Sequence, residues 1–150
     1  LYGVQLHIPL GGFVLGGSGE FEEQEEDIAP FRRTSYAAFL QAPLASSLLF
    51  FTGFNRTLVD NFDSPEDVDA LAFHFRLEFF PRRRMRLSAE FRSDQDRGGT
   101  LERKTQFFRL LGEWRIRRLI LRAEGEFDHE EQGDFERDKT RIKMEIRREF

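Results

Sequence analysis

The sequence has no cysteine, which excludes a disulfide framework, a zinc–thiolate site and a cysteine nucleophile. It has no stretch approaching the roughly 18 consecutive apolar residues that a membrane helix needs, so a helical membrane protein is excluded. A membrane-crossing β-barrel is not. Charge of one sign is not in excess: 23 Lys and Arg stand against 27 Asp and Glu, which leaves no basic footprint for nucleic acid. GxGxxG, P-loop, HExxH and EF-hand patterns are all absent, and His7 and His129 lack metal-ligand spacing to one another. Neither a cofactor nor a metal is therefore expected. The chain begins at Leu1 without a basic n-region followed by an apolar h-region. A removed signal peptide or missing upstream residues is the expectation.

What the sequence does have is phenylalanine, at 18 residues against one Trp and two Tyr, and a period of two from end to end. Over 71–79, Leu71, Phe73, Phe75, Leu77 and Phe79 share one face, and Ala72, His74, Arg76 and Glu78 share the other. Over 85–93, Met85, Leu87, Ala89 and Phe91 alternate with Arg86, Ser88, Glu90 and Arg92. Such alternation marks strands with one apolar face. Pairing Phe79 with Met85 across Pro81–Arg84 sets Glu78 against Arg86 and His74 against Glu90, which are favourable cross-strand partners. Arg117-Arg118 has the length of a two-residue hairpin loop. Around it Glu113 falls opposite Arg122, and Arg109 opposite Glu126. Gly11-Gly12 supplies the positive φ that a tight turn demands, joining Tyr2–Leu10 to Phe13–Phe21. Residues 35–44 and 46–57 are expected to pair around Pro43–Ser46, although both faces there are small or apolar.

The connections alternate in length. Gly11-Gly12, Pro43–Ser46, Pro81–Arg84 and Arg117-Arg118 are short. The segments 22–34, 56–69, 93–104 and 128–139 are polar and expected to be long loops, with acidic runs such as "EEQEED" and "DHEEQGDFERD". All the long loops then leave one end of the sheet, giving a short basic end and a long acidic end.

Alternation alone does not say which face is inside. A soluble lipocalin-like barrel that binds a small ligand would turn its Phe and Leu inward. A membrane barrel would turn them to lipid and its charges to the lumen. Three features favour the second. The apolar runs are near the 9–11 residues that cross a bilayer in a tilted strand. Loop lengths are segregated by end. Aromatics fall at the strand ends, with Phe13, Phe79, Trp114 and Phe150 near the short turns and Phe21, Phe91 and Phe127 near the long loops.

The chain closes on "TRIKMEIRREF", where Ile142, Met144 and Ile146 alternate with charges before the terminal Phe150. In this respect it resembles the bacterial outer-membrane β-barrel proteins, whose chains commonly end in an aromatic residue on an alternating final strand; Arg148 departs from that pattern. The resemblance implies an all-β, antiparallel up-and-down transmembrane β-barrel of 8–10 strands in this chain, with short periplasmic turns and long acidic outer loops. It implies an address in the bacterial outer membrane, with the lipid bilayer and lipopolysaccharide as partners. Nine strands are counted, whereas single-chain bacterial barrels usually have an even number. Residues 1–150 are therefore expected to be one β-barrel domain or the C-terminal segment of a larger one.

The expected lumen face carries Arg76, Arg86, Arg92, Arg109, Arg115, Arg122, Arg141, Lys143 and Arg147, opposed by Glu78, Glu90, Glu113, Glu124, Glu126 and Glu145. The expected function is a porin-like conduit lined by these Arg and Glu side chains. The alternative is a plugged barrel acting as a scaffold, with a periplasmic partner at the Arg-rich turns. His74, Ser88 and Glu90 share a face and hint at hydrolase chemistry. They would point inward, however, so an enzyme is not expected.

Overall fold

A computed structural model describes residues 2–24, 31–61, 67–98 and 102–148. The described elements are nine strands: β1 (Tyr2–Leu10), β2 (Phe13–Gln24), β3 (Phe31–Ala45), β4 (Leu48–Asn61), β5 (Val68–Arg82), β6 (Met85–Arg97), β7 (Arg103–Ile116), β8 (Leu119–Gln132) and β9 (Phe135–Arg148). They form a single antiparallel meander in the order β1 to β9. Each strand pairs with its sequence neighbours, and among the described residues β1 and β9 do not meet. Phe150, the terminal aromatic of the sequence reading, lies outside the described residues.

The turns follow from their residues. Gly11 and Gly12 take φ of 54° and 100° and close β1 onto β2 with Leu10 opposite Phe13. Arg117 and Arg118 close β7 onto β8 with Ile116 opposite Leu119, and Arg117 adopts a φ of 53° that a side chain resists. The expected pairs Glu113–Arg122 and Arg109–Glu126 are in register.

Two other short connections differ from expectation for one reason. The β3–β4 turn is Ser46-Ser47, not Pro43–Ser46, and the β5–β6 turn is Arg83-Arg84. In each, the first strand holds one extra residue: the register shifts between Pro43 and Ala45, and between Phe79 and Arg82. Each irregularity contains or abuts a proline, which has no N–H to give the ladder and is tolerated at bulges. On β5 the strand also runs three residues past Phe79, to Arg82 opposite Met85; less the one in the bulge, this pairs Phe79 with Leu87, not Met85, and Glu78 with Ser88. A displacement of two residues keeps every side chain on its expected face while changing its direct partner.

The long loops are also shorter than expected. Strands of 12–15 residues, β1 apart, run well into the polar segments. The acidic stretch 128–138 is mostly the end of β8 and the start of β9, joined at Gly133-Asp134. Backbone pairing does not require apolar side chains, so the ladder continues past the point where the grease stops.

The apolar face has no protein covering it. Val4, Phe73, Leu110, Trp114, Ile142, Met144 and Ile146 are 45–81% exposed, and Ala42 is the one buried hydrophobic residue among those described. The chain exposes 11282 Å², where a soluble monomer of this mass exposes roughly 7,900 Å². The lipocalin-like alternative is not what the chain forms, because that fold would bury this face. On the outward side Phe75, Phe91, Phe108 and Phe127 line up as direct cross-strand neighbours. Phe13, Phe79 and Trp114 lie toward the short turns on the same face. The apolar band runs over 71–79 on β5, 108–116 on β7 and 119–127 on β8, nine residues on each.

The opposite face of β1–β4 is largely uncharged within this band. There Phe39 packs edge-on to His7, ring centroids 5.2 Å apart, over Gly16, where a Cβ would overlap both rings. Gly16→Ala is expected to destabilise the sheet by about 1–3 kcal/mol through overpacking, read as a lower urea midpoint in lipid vesicles. Combining it with Phe39→Ala should recover part of the loss.

Candidate functional site

The charged face of β5–β9 is built in rows by the register. One row reads Arg76, Glu90, Arg109, Glu126, Arg141, each opposite the next on the adjacent strand, with sign alternating at every step. A second reads Arg86, Glu113, Arg122, Glu145 and alternates likewise. Between them lies the row Glu78, Ser88, Leu111, Glu124, Lys143.

That middle row explains the two most buried charged side chains described, Glu78 at 6% and Glu124 at 9%. Each draws one arginine from the row above and one from the row below. Glu78 Oε1 lies 3.3 Å from Arg76 Nε and 2.6 Å from Arg86 Nη2. Glu124 contacts Arg109 and lies 2.9 Å from Arg122 Nη2. Two arginines surround each carboxylate, and across the three rows the six cations Arg76, Arg86, Arg109, Arg122, Arg141 and Lys143 balance six glutamates. The Nε atoms of Arg76, Arg86, Arg109 and Arg122 are buried without a well-aligned hydrogen-bond acceptor among the described residues. Arg76 also stacks on the Phe51 ring, 4.4 Å from its centroid, a cation–π contact at the junction with the uncharged wall.

The remaining charged residues share this face of the sheet. Arg141 reaches Glu126 at 3.3 Å, Arg115 reaches Glu113 at 3.0 Å, and Lys143 reaches Glu145 at 3.7 Å. Arg147 lies opposite Ile120. Arg92 pairs with Asp94 at 2.8 Å. The expected pairs of the β5–β6 hairpin do form, but diagonally: Arg86 to Glu78, and His74 Nε2 to Glu90 Oε1 at 3.3 Å. Long side chains reach a diagonal neighbour as readily as a direct one. Ser88 does not join His74. His74 stands opposite Arg92, four residues along β6, or roughly 13 Å away at strand rise. The hydrolase constellation is therefore not assembled.

Residues that the sequence reading passed over extend this face upward. Asp94, Asp96, Arg103, Asp128 and Thr105 border a depression of about 580 Å³ whose floor is Ala70 and Ala72. A second, of about 420 Å³, lies between Phe39, Gly53, His74 and Arg92, where the uncharged and charged walls meet. The signal for both was the small residues alternating with apolar ones in "DALAFHF" and "FTGFN", which leave room beside bulkier neighbours.

Above the apolar band the outward face is ionic. Arg56 grips Asp69 with two bonds of 2.8 Å from Nε and Nη2. The guanidinium holds the Asp69 carboxyl below its usual range, and the carboxylate raises the Arg56 pKa. On the β8–β9 hairpin, hydrogen bonds from His129 to Asp138 and Glu131 raise the imidazole.

No protein-family model matches the sequence, and no characterised protein matches it by sequence. Solved structures do match the fold. Outer-membrane expressed OmpT of Vibrio cholerae superposes with a TM-score of 0.67 at 10% identity, over 84% of this chain and 44% of that one. A loop L8 deletion mutant of that protein gives 0.65 at 12% identity, over 92% and 50%. In-vitro folded OmpT in its trimer form gives 0.64 at 9% identity, over 83% and 43%. The chain thus has the fold of bacterial outer-membrane β-barrels and spans half or less of the length of the structures it matches.

Removing the centre of a triad strands two arginines. Glu78→Ala and Glu124→Ala are expected to destabilise the folded protein by about 1–3 kcal/mol each, against about 0–1 kcal/mol for the more exposed Glu145→Ala, measured by urea unfolding in vesicles. For Asp69 the folded pKa lies below the unfolded one, so its contribution is present above the unfolded value and is lost as pH falls through the folded value. Asp69→Asn should flatten that acid limb of the stability profile, and an unchanged limb would show that the pair contributes nothing.

Proposed function

We propose that this chain forms part of the wall of a porin-like conduit in the bacterial outer membrane, with the outward apolar band against lipid and the Arg/Glu face lining a water-filled lumen. The observation that carries the reading is the pairing of an uncovered apolar face with a charged face whose side chains remain partly open to water. A lipid solvent is the one environment in which such a band costs nothing to expose. Charged rows whose residues stay 23–60% accessible, such as Arg76, Glu90, Arg109, Glu126 and Arg141, suit a wet channel better than a dry salt-bridged plug.

Strand direction supports a larger assembly. With nine strands, β1 and β9 run the same way, so joining them directly would make a parallel seam. An odd number of further strands restores antiparallel closure, and the share of the matched structures that this chain spans fits such a complement. The uncharged wall of β1–β4 and the charged wall of β5–β9 would then form distinct sectors of one lumen.

Alternating signs along each row predict weak ion selectivity. Full-length protein folded into planar bilayers is expected to give stepwise conductance with a reversal potential near zero in a salt gradient. Arg92→Glu should shift that potential toward cation preference without abolishing the steps. Folded, heat-modifiable protein that yields no openings would overturn the conduit reading and favour the plugged scaffold.

A further inference from the structure

The outer end of the β8–β9 hairpin gathers one imidazole and three carboxylates on the outward face, above Phe127. Gly133-Asp134 closes the hairpin so that His129 stands directly opposite Asp138. His129 Nδ1 lies 2.7 Å from Asp138 Oδ1 and 3.9 Å from Glu136 Oε1. On its other side, Nε2 lies 3.1 Å from Glu131 Oε1. Among the described residues this is where three groups able to ligate a metal converge, with donor atoms of His129, Glu136 and Asp138 all within 4.8 Å of one another.

We propose that His129, Glu136 and Asp138 bind a divalent transition-metal ion of the zinc type, with Glu131 orienting the imidazole. The donor chemistry selects the ion class. One nitrogen and two carboxylate oxygens suit zinc and its neighbours, whereas calcium and magnesium prefer oxygen alone. Glu131 supplies the partner that a metal-bound histidine ordinarily has, a carboxylate accepting the other ring N–H. Without a metal, the imidazole is hydrogen-bonded to Asp138 at Nδ1 and to Glu131 at Nε2; a cation would displace the proton between Nδ1 and Asp138 and take its place beside Glu136, while Nε2–H stays on Glu131. Glu131 is tied in turn to Lys104 of β7, whose Nζ lies 3.5 Å from Oε2, so the arrangement is braced across three strands. The imidazole is largely enclosed, at 16% exposure, while Glu136 and Asp138 are 69% and 62% exposed. The two carboxylates therefore have room to open to the roughly 3.4 Å donor spacing of a tetrahedral site. Three protein ligands leave a position for water or an external donor.

The test uses full-length folded protein in detergent, stripped with a chelator and titrated calorimetrically with Zn²⁺, Ca²⁺ and Mg²⁺ at neutral pH. Saturable binding of one Zn²⁺ per chain is expected, with Ca²⁺ and Mg²⁺ much weaker. Asp138→Asn and Glu131→Gln should each weaken Zn²⁺ by about 10–100-fold, and His129→Gln should remove saturable binding. Co²⁺ in place of Zn²⁺ should show the visible absorption of a nitrogen–oxygen site. Heat-modifiable migration confirms that each variant is folded, and Asp138→Asn serves should His129→Gln fail that check. Absence of Zn²⁺ binding overturns the proposal. So does binding that survives His129→Gln unchanged, or calcium bound as tightly as zinc, since either would mean that the carboxylates merely attract cations.

Discussion

The structure depends on one constraint: a backbone amide that enters hydrocarbon must find its hydrogen-bond partner within protein. The nine-stranded meander meets it for every interior strand by pairing each with both sequence neighbours. Once the backbone is satisfied this way, side chains are free to alternate, and the period of two divides the sheet into a greasy face and a charged one. Everything functional in this chain is a consequence of which face a residue takes. The backbone ladder also outlasts the apolar band, carrying ionic groups such as Arg56, Asp69 and His129 above it on rigid strands instead of on loose loops.

On the charged face, desolvation is managed by position. Glu78 and Glu124 occupy a row between two rows that contain arginines, so each carboxylate meets two guanidinium groups, one from either side. Two arginines to each glutamate hold the carboxylate in place, and the glutamates of the flanking rows balance those arginines in turn. The uncharged surface of β1–β4, with Phe39 seated over Gly16, gives the face a second character. A lumen with both sectors would offer a solute an aromatic side and an ionic side.

The sequence disclosed the hairpins that close on Gly11-Gly12 and Arg117-Arg118. For β7–β8 the Arg117-Arg118 spacing placed Glu113 opposite Arg122, as found. For β5–β6 the same reasoning went two residues astray, because β5 runs three residues past Phe79 to Arg82 opposite Met85 and the bulge beside Pro81 takes up one of them. The ion pairs survived the slip, since Arg86 and His74 reach Glu78 and Glu90 on the diagonal. The gathering of His129, Glu136 and Asp138 was not legible for a different reason. Its members are brought together by the Gly133-Asp134 turn, and reading 128–139 as a polar loop hid the hairpin that sets His129 opposite Asp138.

By itself the sequence determined the alternation of faces and hence the antiparallel all-β architecture, because side-chain period is a local property of an extended chain. It also determined which face is charged, and the solvent that the other face requires. Tertiary structure alone decided partners: which arginines share Glu78 and Glu124, that Ser88 stays away from His74, and that His129, Glu136 and Asp138 converge. Partners depend on register, and register is set by bulges and turns, where a displacement of two residues moves every contact along two strands while leaving the pattern of faces intact.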